Sequence, residues 1–171
     1  MATTLTLIAT QTLTSSAANI TFASIPATYT DLKLVGTFAS AGGSPIGGFI
    51  TFNGSSSGYT DRFMQGLGGT GTTVNSGSSP MGTNRIYFGV AEPSSSGFWS
   101  NIDVYIPNYT SSTNKSLNID EVTGTTATIA YSQQISAQWA NTAAITSITL
   151  ALDSVNMAVG SSLSLYGIKK S

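Results

Sequence analysis

Residues 31–38 have the sequence DLKLVGTF, in which apolar or small residues alternate with mostly polar ones. In an extended chain, successive side chains point to opposite faces, so Leu32 and Leu34 share one face while Lys33 lies on the other. A period of two over this length predicts a β-strand with one buried face. The fold class follows from how often this pattern returns.

The same alternation recurs along the whole chain. A strong hairpin signal follows residues 49–52, because Asn53 and Gly54 both tolerate the positive φ of a tight turn. We expect about ten strands in all. The segments that show the pattern are 3–9, 20–22, 31–38, 49–52, 59–65, 85–90, 102–106, 117–119, 128–135, 148–152 and 163–166.

The composition favours strands and turns over helices. The 171 residues include 18 Gly and many Ser and Thr, and 40% are hydrophobic, which is enough to build one core. Many short strands without alternating helices predict an all-β fold, a single domain over residues 1–171 that forms an antiparallel β-sandwich of the jelly-roll type. The weakly periodic window 133–144 is the one candidate helix.

The longest stretch of low complexity is residues 66–82, which consist almost entirely of Gly, Thr, Ser and Asn. This composition predicts a flexible loop that a partner could order, and therefore a contact element. Residues 66–71, GLGGTG, match the glycine pattern of dinucleotide-binding loops. That pattern needs a helix immediately after it, and TTVNSG at residues 72–77 cannot form one, so we expect no cofactor.

The sequence lacks the side chains on which most enzymes depend. It has no His and no Cys, which removes Ser-His and Cys-His mechanisms and the commonest zinc ligands. A carboxylate-based hydrolase is the remaining catalytic hypothesis, but the only adjacent acids, Asp120 and Glu121, would point to opposite faces of a strand. The same two acids could contribute to a calcium site, although no calcium-loop pattern surrounds them. We therefore expect no catalytic residue and no bound metal.

Charged residues are few and scattered. Six Lys and Arg against seven Asp and Glu give a net charge of −1, and the sequence has no basic cluster suited to nucleic-acid phosphates. It has no run of about 18 apolar residues and no signal-peptide pattern near its start. We expect a protein that binds neither nucleic acid nor membrane and that has the low charge of a subunit packed into an assembly.

Most aromatic side chains fall within strand patterns and are expected in the core. Five lie beside loops instead, where they could contact a partner protein or stack on a sugar, because such side chains supply large apolar contact area. These predicted contact residues are Tyr59, Phe98, Trp99, Tyr109 and Trp139.

Two terminal segments are IPATYTDLKLV at residues 25–35 and GSSLSLYGIK at residues 160–169. They resemble virion structural proteins of tailed bacteriophages, particularly those of marine and cyanobacterial hosts. In such proteins an entry strand and a closing strand of this kind bracket a β-rich domain with a variable middle. The resemblance implies a virion protein that is made in the host cytoplasm without a signal peptide.

The resemblance also implies a role and partners. Such proteins decorate or cement the capsid surface, bind other virion proteins and are often homotrimers. The alternative that it implies is a tail-fibre component, or a receptor-binding or carbohydrate-binding module that contacts a host-surface glycan. We accordingly expect a non-enzymatic structural component of a bacteriophage virion, most simply a capsid decoration protein.

Overall fold

A computed structural model describes residues 4–68, 73–78, 82–126 and 129–169, which form twelve strands and one short 3-10 turn at Ser94–Ser96. None of these residues belongs to a helix long and apolar enough to cross a membrane. The strands are β1 (Thr4–Thr12), β2 (Asn19–Phe22), β3 (Asp31–Phe38), β4 (Ile46–Phe52), β5 (Tyr59–Leu67), β6 (Thr73–Ser78), β7 (Ile86–Ala91), β8 (Ser100–Ile106), β9 (Lys115–Thr126), β10 (Ile129–Trp139), β11 (Ile148–Leu152) and β12 (Ser162–Lys169).

The strands form two sheets. The larger sheet has eight strands in the order β1-β12-β3-β8-β9-β10-β5-β6, and the smaller has four in the order β2-β11-β4-β7. Every pairing between these strands is antiparallel. The predicted all-β antiparallel sandwich is therefore confirmed, with twelve strands in place of about ten.

The connectivity is that of a jelly roll with two inserted hairpins. Four nested pairs, β1–β12, β2–β11, β3–β8 and β4–β7, alternate between the two sheets, as they do when one long antiparallel hairpin rolls up. The remaining strands, β5, β6, β9 and β10, all join the larger sheet beyond β8. We call β9, β10, β5 and β6 the hairpin extension.

The core lies between the two sheets because most strands, β1 excepted, alternate inward apolar and outward polar residues. The inward side chains form one hydrophobic cluster to which both sheets contribute. Burying a single side chain of this kind stabilises the fold by about 1.5–3 kcal/mol. Fully buried members include Leu34, Phe38, Val104 and Leu165 from the larger sheet and Ile50, Phe52, Ile148 and Leu150 from the smaller.

One local expectation is wrong, and the one candidate helix is not formed. The stretch 66–82, expected to be one loop, includes β6, which pairs with β5 so that Met64 lies opposite Ser76; residues 69–72 and 79–81 lie outside the described part of the chain. Pairing with β5 holds residues 73–78 in a strand despite their composition. The candidate helix at 133–144 is strand β10 as far as Trp139.

The two terminal segments lie side by side. Strand β3 pairs with β12, with Leu34 opposite Leu165, and the ring of Tyr29 covers the backbone of Gly167. A Cβ added at Gly167 would lie 2.2 Å from Cγ of Tyr29, closer than any real contact, so only glycine fits beneath this ring. The residues that carry the resemblance therefore belong to one packed unit, although they lie near opposite ends of the sequence.

We expect Gly167→Ala to lower the free energy of unfolding by about 1–3 kcal/mol, because the new methyl group displaces the Tyr29 ring. Gly66→Ala is the matched control, since Gly66 also lies in a strand but its added Cβ would come no closer than 3.9 Å to the backbone oxygen of Ser132. Urea unfolding measures both variants. If both substitutions lowered the free energy of unfolding equally, the close contact would be contradicted. It would also be contradicted if Gly167→Ala lowered the free energy of unfolding by the same amount in a variant that already has Tyr29→Ala.

Candidate functional site

Three of the five predicted contact residues are core residues. Tyr59, Tyr109 and Trp139 are fully buried, so the prediction that they contact a partner is wrong. The Tyr59 ring stacks on Trp139 at 6.0 Å between centroids, and the backbone N–H of Phe52 donates to the Tyr59 hydroxyl at 2.8 Å. The Tyr109 hydroxyl donates to the carbonyl of Pro26. The hydroxyl groups of Tyr59 and Tyr109 thus find partners inside the protein, and proximity to a loop did not place the three rings at the surface.

The other two predicted contact residues lie at the surface at the start of β8. Trp99 is exposed and packs beside Gly160, whereas Phe98 is half-buried against Gly124. Val159, next to Gly160, is also exposed. The structure thus brings Phe98 and Trp99 together at one corner and separates them from the three buried rings. Their role as contacts stays a prediction.

The larger sheet has an outer face, turned away from the smaller sheet, and its two halves differ. Over the jelly-roll strands β1, β12, β3 and β8, outward polar side chains bond to one another across the strands. These contacts are Thr10–Ser164 at 2.8 Å, Thr12–Ser162 at 2.7 Å, the ion pair Lys33–Asp103 at 2.8 Å and Tyr105–Asp31 at 2.7 Å. These eight side chains are thus satisfied within the sheet.

Over the hairpin extension the outer face has two adjoining shallow cavities, of about 690 and 660 Å³. Arg62 and Ser136 line both, so the two form one continuous depression along β5 and β10, which we call the trough. The floor of the trough consists of three rows of outward side chains, each row formed by residues that lie opposite one another on paired strands. One row places Arg62, Ser136 and Asn118 side by side. Its other outward polar residues include Thr60, Asp120, Gln134 and Gln138.

Three side-chain amides of the trough have no partner within the described part of the protein. Asn118, Gln134 and Gln138 make no side-chain hydrogen bond to any other described residue, in contrast to the paired groups of the jelly-roll half. Arg62 donates through Nη1 to the carbonyl of Asp61 at 2.8 Å, and within the described ranges it makes no ion pair. The trough therefore presents amide, hydroxyl and guanidinium groups to a ligand without first breaking internal contacts.

The two adjacent acids point in opposite directions, as the strand pattern predicts. Asp120 is exposed on the outer face, and Glu121 is fully buried between the sheets, so they cannot hold one calcium ion together. The described residues include no group of three or more His, Cys, Asp or Glu side chains placed to bind a metal ion.

The buried carboxyl of Glu121 has unusual surroundings. The pKa of Glu121 is raised to about 9, chiefly by burial and to a smaller extent by the nearby Glu92, while hydrogen bonds with the Val90 backbone, Gln133 and Ser100 act in the opposite direction. The Gln133 amide donates through Nε2 to Oε2 of Glu121 at 3.1 Å. The backbone of Gly89, at φ +130°, covers the side chain so closely that an added Cβ would lie 2.5 Å from Cγ. Glu121 is thus closed off from any substrate in this structure.

An outward pair of carboxylates comes closest to what the hydrolase hypothesis requires. Strand pairing places Asp103 opposite Asp120, and Lys33 forms the ion pair with Asp103. Glycoside hydrolysis needs one carboxyl kept protonated by apolar surroundings. Asp103 and Asp120 lie instead on an open, polar surface, which does not favour hydrolysis.

Sequence reasoning missed the trough. The alternation in β10 placed Gln134, Ser136 and Gln138 on one face, and such a run of outward amides and hydroxyls is the signal that could have indicated a polar surface. The neighbours of Ser136 on the adjacent strands, Arg62 and Asn118, lie on β5 and β9, which a sequence pattern within β10 does not reveal.

Comparison with known proteins gives no family. No protein-family model matches the chain, and no curated protein matches it. Among solved structures, the chain aligns with one described as "Structure of infectious bursal disease virus Gx strain", at 15% sequence identity and a TM-score of 0.15. The alignment covers 98% of this chain, which spans 41% of the other. At that TM-score the likeness carries no argument about fold or function.

We expect the protein to lose stability as the pH rises from the ordinary Glu pKa of 4.5 towards about 9. In this window the unfolded chain releases the Glu121 proton while the native state retains it, so the free energy of unfolding falls by up to about 1.4 kcal/mol per pH unit. Glu121→Gln removes this slope and is more stable than the wild type at pH 8, with a smaller difference at pH 5. Denaturant unfolding between pH 5 and pH 8 measures the effect.

The exposed neighbour provides the control for this prediction. Asp120→Asn changes the same charge on the same strand, but its side chain lies in solvent, so its pH slope should match that of the wild type. Parallel pH profiles for the wild type and Glu121→Gln would contradict the protonated state of Glu121.

Proposed function

We propose that this protein is a non-enzymatic structural component of a bacteriophage virion, placed on the particle surface as a capsid decoration or cement protein. The observation that carries the proposal is the packing of the two segments that resemble such proteins. Strands β3 and β12 are neighbours in the larger sheet, and Tyr29 from one segment covers Gly167 from the other. The resemblance thus rests on one structural unit and not on two unrelated short matches.

An exposed apolar strip supports a role in assembly. On the outer face of the larger sheet, Leu7 pairs with Tyr166, and Tyr105 lies two strands further along the same row, with Lys33 between the two tyrosines. Leu5 and Leu7 are 54% and 53% exposed, and Tyr105 is also exposed. We define the apolar strip as Leu5, Leu7, Tyr105 and Tyr166. Exposed apolar surface of this kind is typical of a contact with another protein.

The edge position of the strip adds to this argument. Strand β1 ends the larger sheet, and among the described strands it pairs only with β12. Its sequence, TLTLIATQT, has no charged residue and no Pro, the residues that usually keep an edge strand from binding another chain. A neighbouring virion protein, or a further copy in the homo-oligomer, would cover this edge. The trimer implied by the resemblance is our expectation for that oligomer.

The available chemistry supports a non-enzymatic role. Without His and Cys, the usual general base at neutral pH and the thiol nucleophile are absent, and a carboxylate pair is the catalytic hypothesis that remains for hydrolysis. The carboxyl of Glu121, whose pKa is raised to about 9, is enclosed, and the outward acids Asp103 and Asp120 lie in open, polar surroundings. A protein with these properties acts through its surfaces.

A tail-fibre component, or a receptor-binding or carbohydrate-binding module of the tail, is the second candidate function. The trough favours it, because a shallow depression with unpaired polar side chains is suited to a polar ligand outside the particle. Both candidates place the protein in the virion, made in the host cytoplasm, with other virion proteins as partners.

We expect the double substitution Leu5→Lys and Leu7→Lys to reduce the copies of this chain per purified particle by about tenfold or more, because each buried Leu contributes about 1.5–3 kcal/mol to a contact. Quantitative mass spectrometry of particles measures the copy number, and a particle reconstruction locates the chain. Val122→Lys is the control, since Val122 is 47% exposed in the same sheet but lies outside the strip. Absence of the chain from purified particles would contradict the proposed function, and equal losses in both variants would contradict the role of the strip.

A further inference from the structure

We propose that the trough is a binding site for a neutral saccharide, held mainly by the side-chain amides of Asn118, Gln134 and Gln138. The proposal rests on the second candidate function and names the ligand class and the residues that bind it.

The first argument is the contrast between the halves of the outer face. Thr10, Thr12, Lys33 and Tyr105 all bond to a side chain on a neighbouring strand. Over the hairpin extension, side chains of comparable polarity and equally close spacing leave their groups free. Free groups that line a cavity can be satisfied by a ligand, and they offer it hydrogen bonds without the cost of breaking internal ones.

The second argument is the type of polar group. A side-chain amide offers two donors and an acceptor, and a hydroxyl offers both functions, so Gln134, Gln138 and Ser136 can each complement the hydroxyl groups of a sugar. The lining has one cation, Arg62, and two acids, the exposed Asp120 and the buried Asp61, whose carboxyl oxygen accepts a hydrogen bond from the Tyr87 backbone. A phosphate-rich polymer needs a cluster of cations, and an apolar ligand needs a dry pocket, so neither fits this surface.

The third argument is shape. The trough is open and follows three successive rows of side chains, from Thr60–Gln138 through Arg62–Ser136 to Met64–Gln134. At a strand rise of about 3.4 Å per residue, these rows span roughly 14 Å, which leaves room for more than one sugar ring. The site therefore suits a segment within a chain of sugars.

The expected affinity is low. No outward aromatic ring lines the trough among the described residues, so the apolar contribution comes from the exposed side chain of Met64. Hydrogen bonds that exchange with water give a modest net gain, which places the dissociation constant of one site in the range of about 1 mM. Many copies on one particle would convert this weak binding into firm attachment through multivalency.

Nuclear magnetic resonance of the 15N-labelled chain tests the proposal through the side-chain NH₂ signals. The probes are hexasaccharides of glucose, galactose and N-acetylglucosamine, with hexagalacturonate as an anionic comparison. We expect at least one neutral hexasaccharide to shift the NH₂ signals of Asn118, Gln134 and Gln138 in a saturable way. The Asn101 signal should stay in place, because Asn101 is exposed on the same face but outside the trough. Hexagalacturonate should bind more weakly.

Gln134→Ala should weaken binding of that hexasaccharide by about fivefold or more, and Asn101→Ala should leave it unchanged. The proposal is overturned if no neutral hexasaccharide shifts the trough signals, if hexagalacturonate binds more tightly, or if both variants bind like the wild type. Each of these results would leave the virion proposal intact, because that proposal is tested by the presence of the chain in particles.

Discussion

The position of β12 between β1 and β3 is the constraint on which the rest of this structure depends. Once the last strand lies beside the first and the third, the nested pairing of β2 with β11 and of β4 with β7 follows from the chain's connectivity. These pairings join segments that are far apart in sequence, so their loop-closure entropy must be offset by burial of the shared core. Gly167 permits this arrangement, because any side chain there would displace Tyr29.

The inserted hairpins give the larger sheet two different environments. On the inner side of the extension, polar residues such as Glu121 and Gln133 are enclosed beneath the edge strand β7, and Glu121 remains protonated at neutral pH. On the outer side, the same strands expose Asn118 and Gln134 in the trough. One short insertion in each of two loops thus produces a buried polar cluster and an open polar surface, because side chains alternate between the faces of a strand.

The outer face unites both candidate roles. Its β1 side has the apolar strip and polar groups that bond to one another, which suits a dry contact with a neighbouring protein. Its other side has free amides and hydroxyls, which suits contact with a hydrated ligand. A subunit attached by the strip could leave the trough exposed, so a structural role and a receptor-binding role are compatible in one protein.

The sequence by itself determined the period of two, and with it the strands, the sandwich class and the opposite directions of Asp120 and Glu121. The sequence could not determine which strands are neighbours. The trough exists only because strand pairing brings Arg62, Ser136 and Asn118 together from three strands. The burial of Tyr59, Tyr109 and Trp139 and the strand within residues 66–82 were also decided by tertiary structure. The physical reason is that alternation along a strand is a local property of the backbone, whereas packing and cross-strand pairing depend on segments distant in the chain.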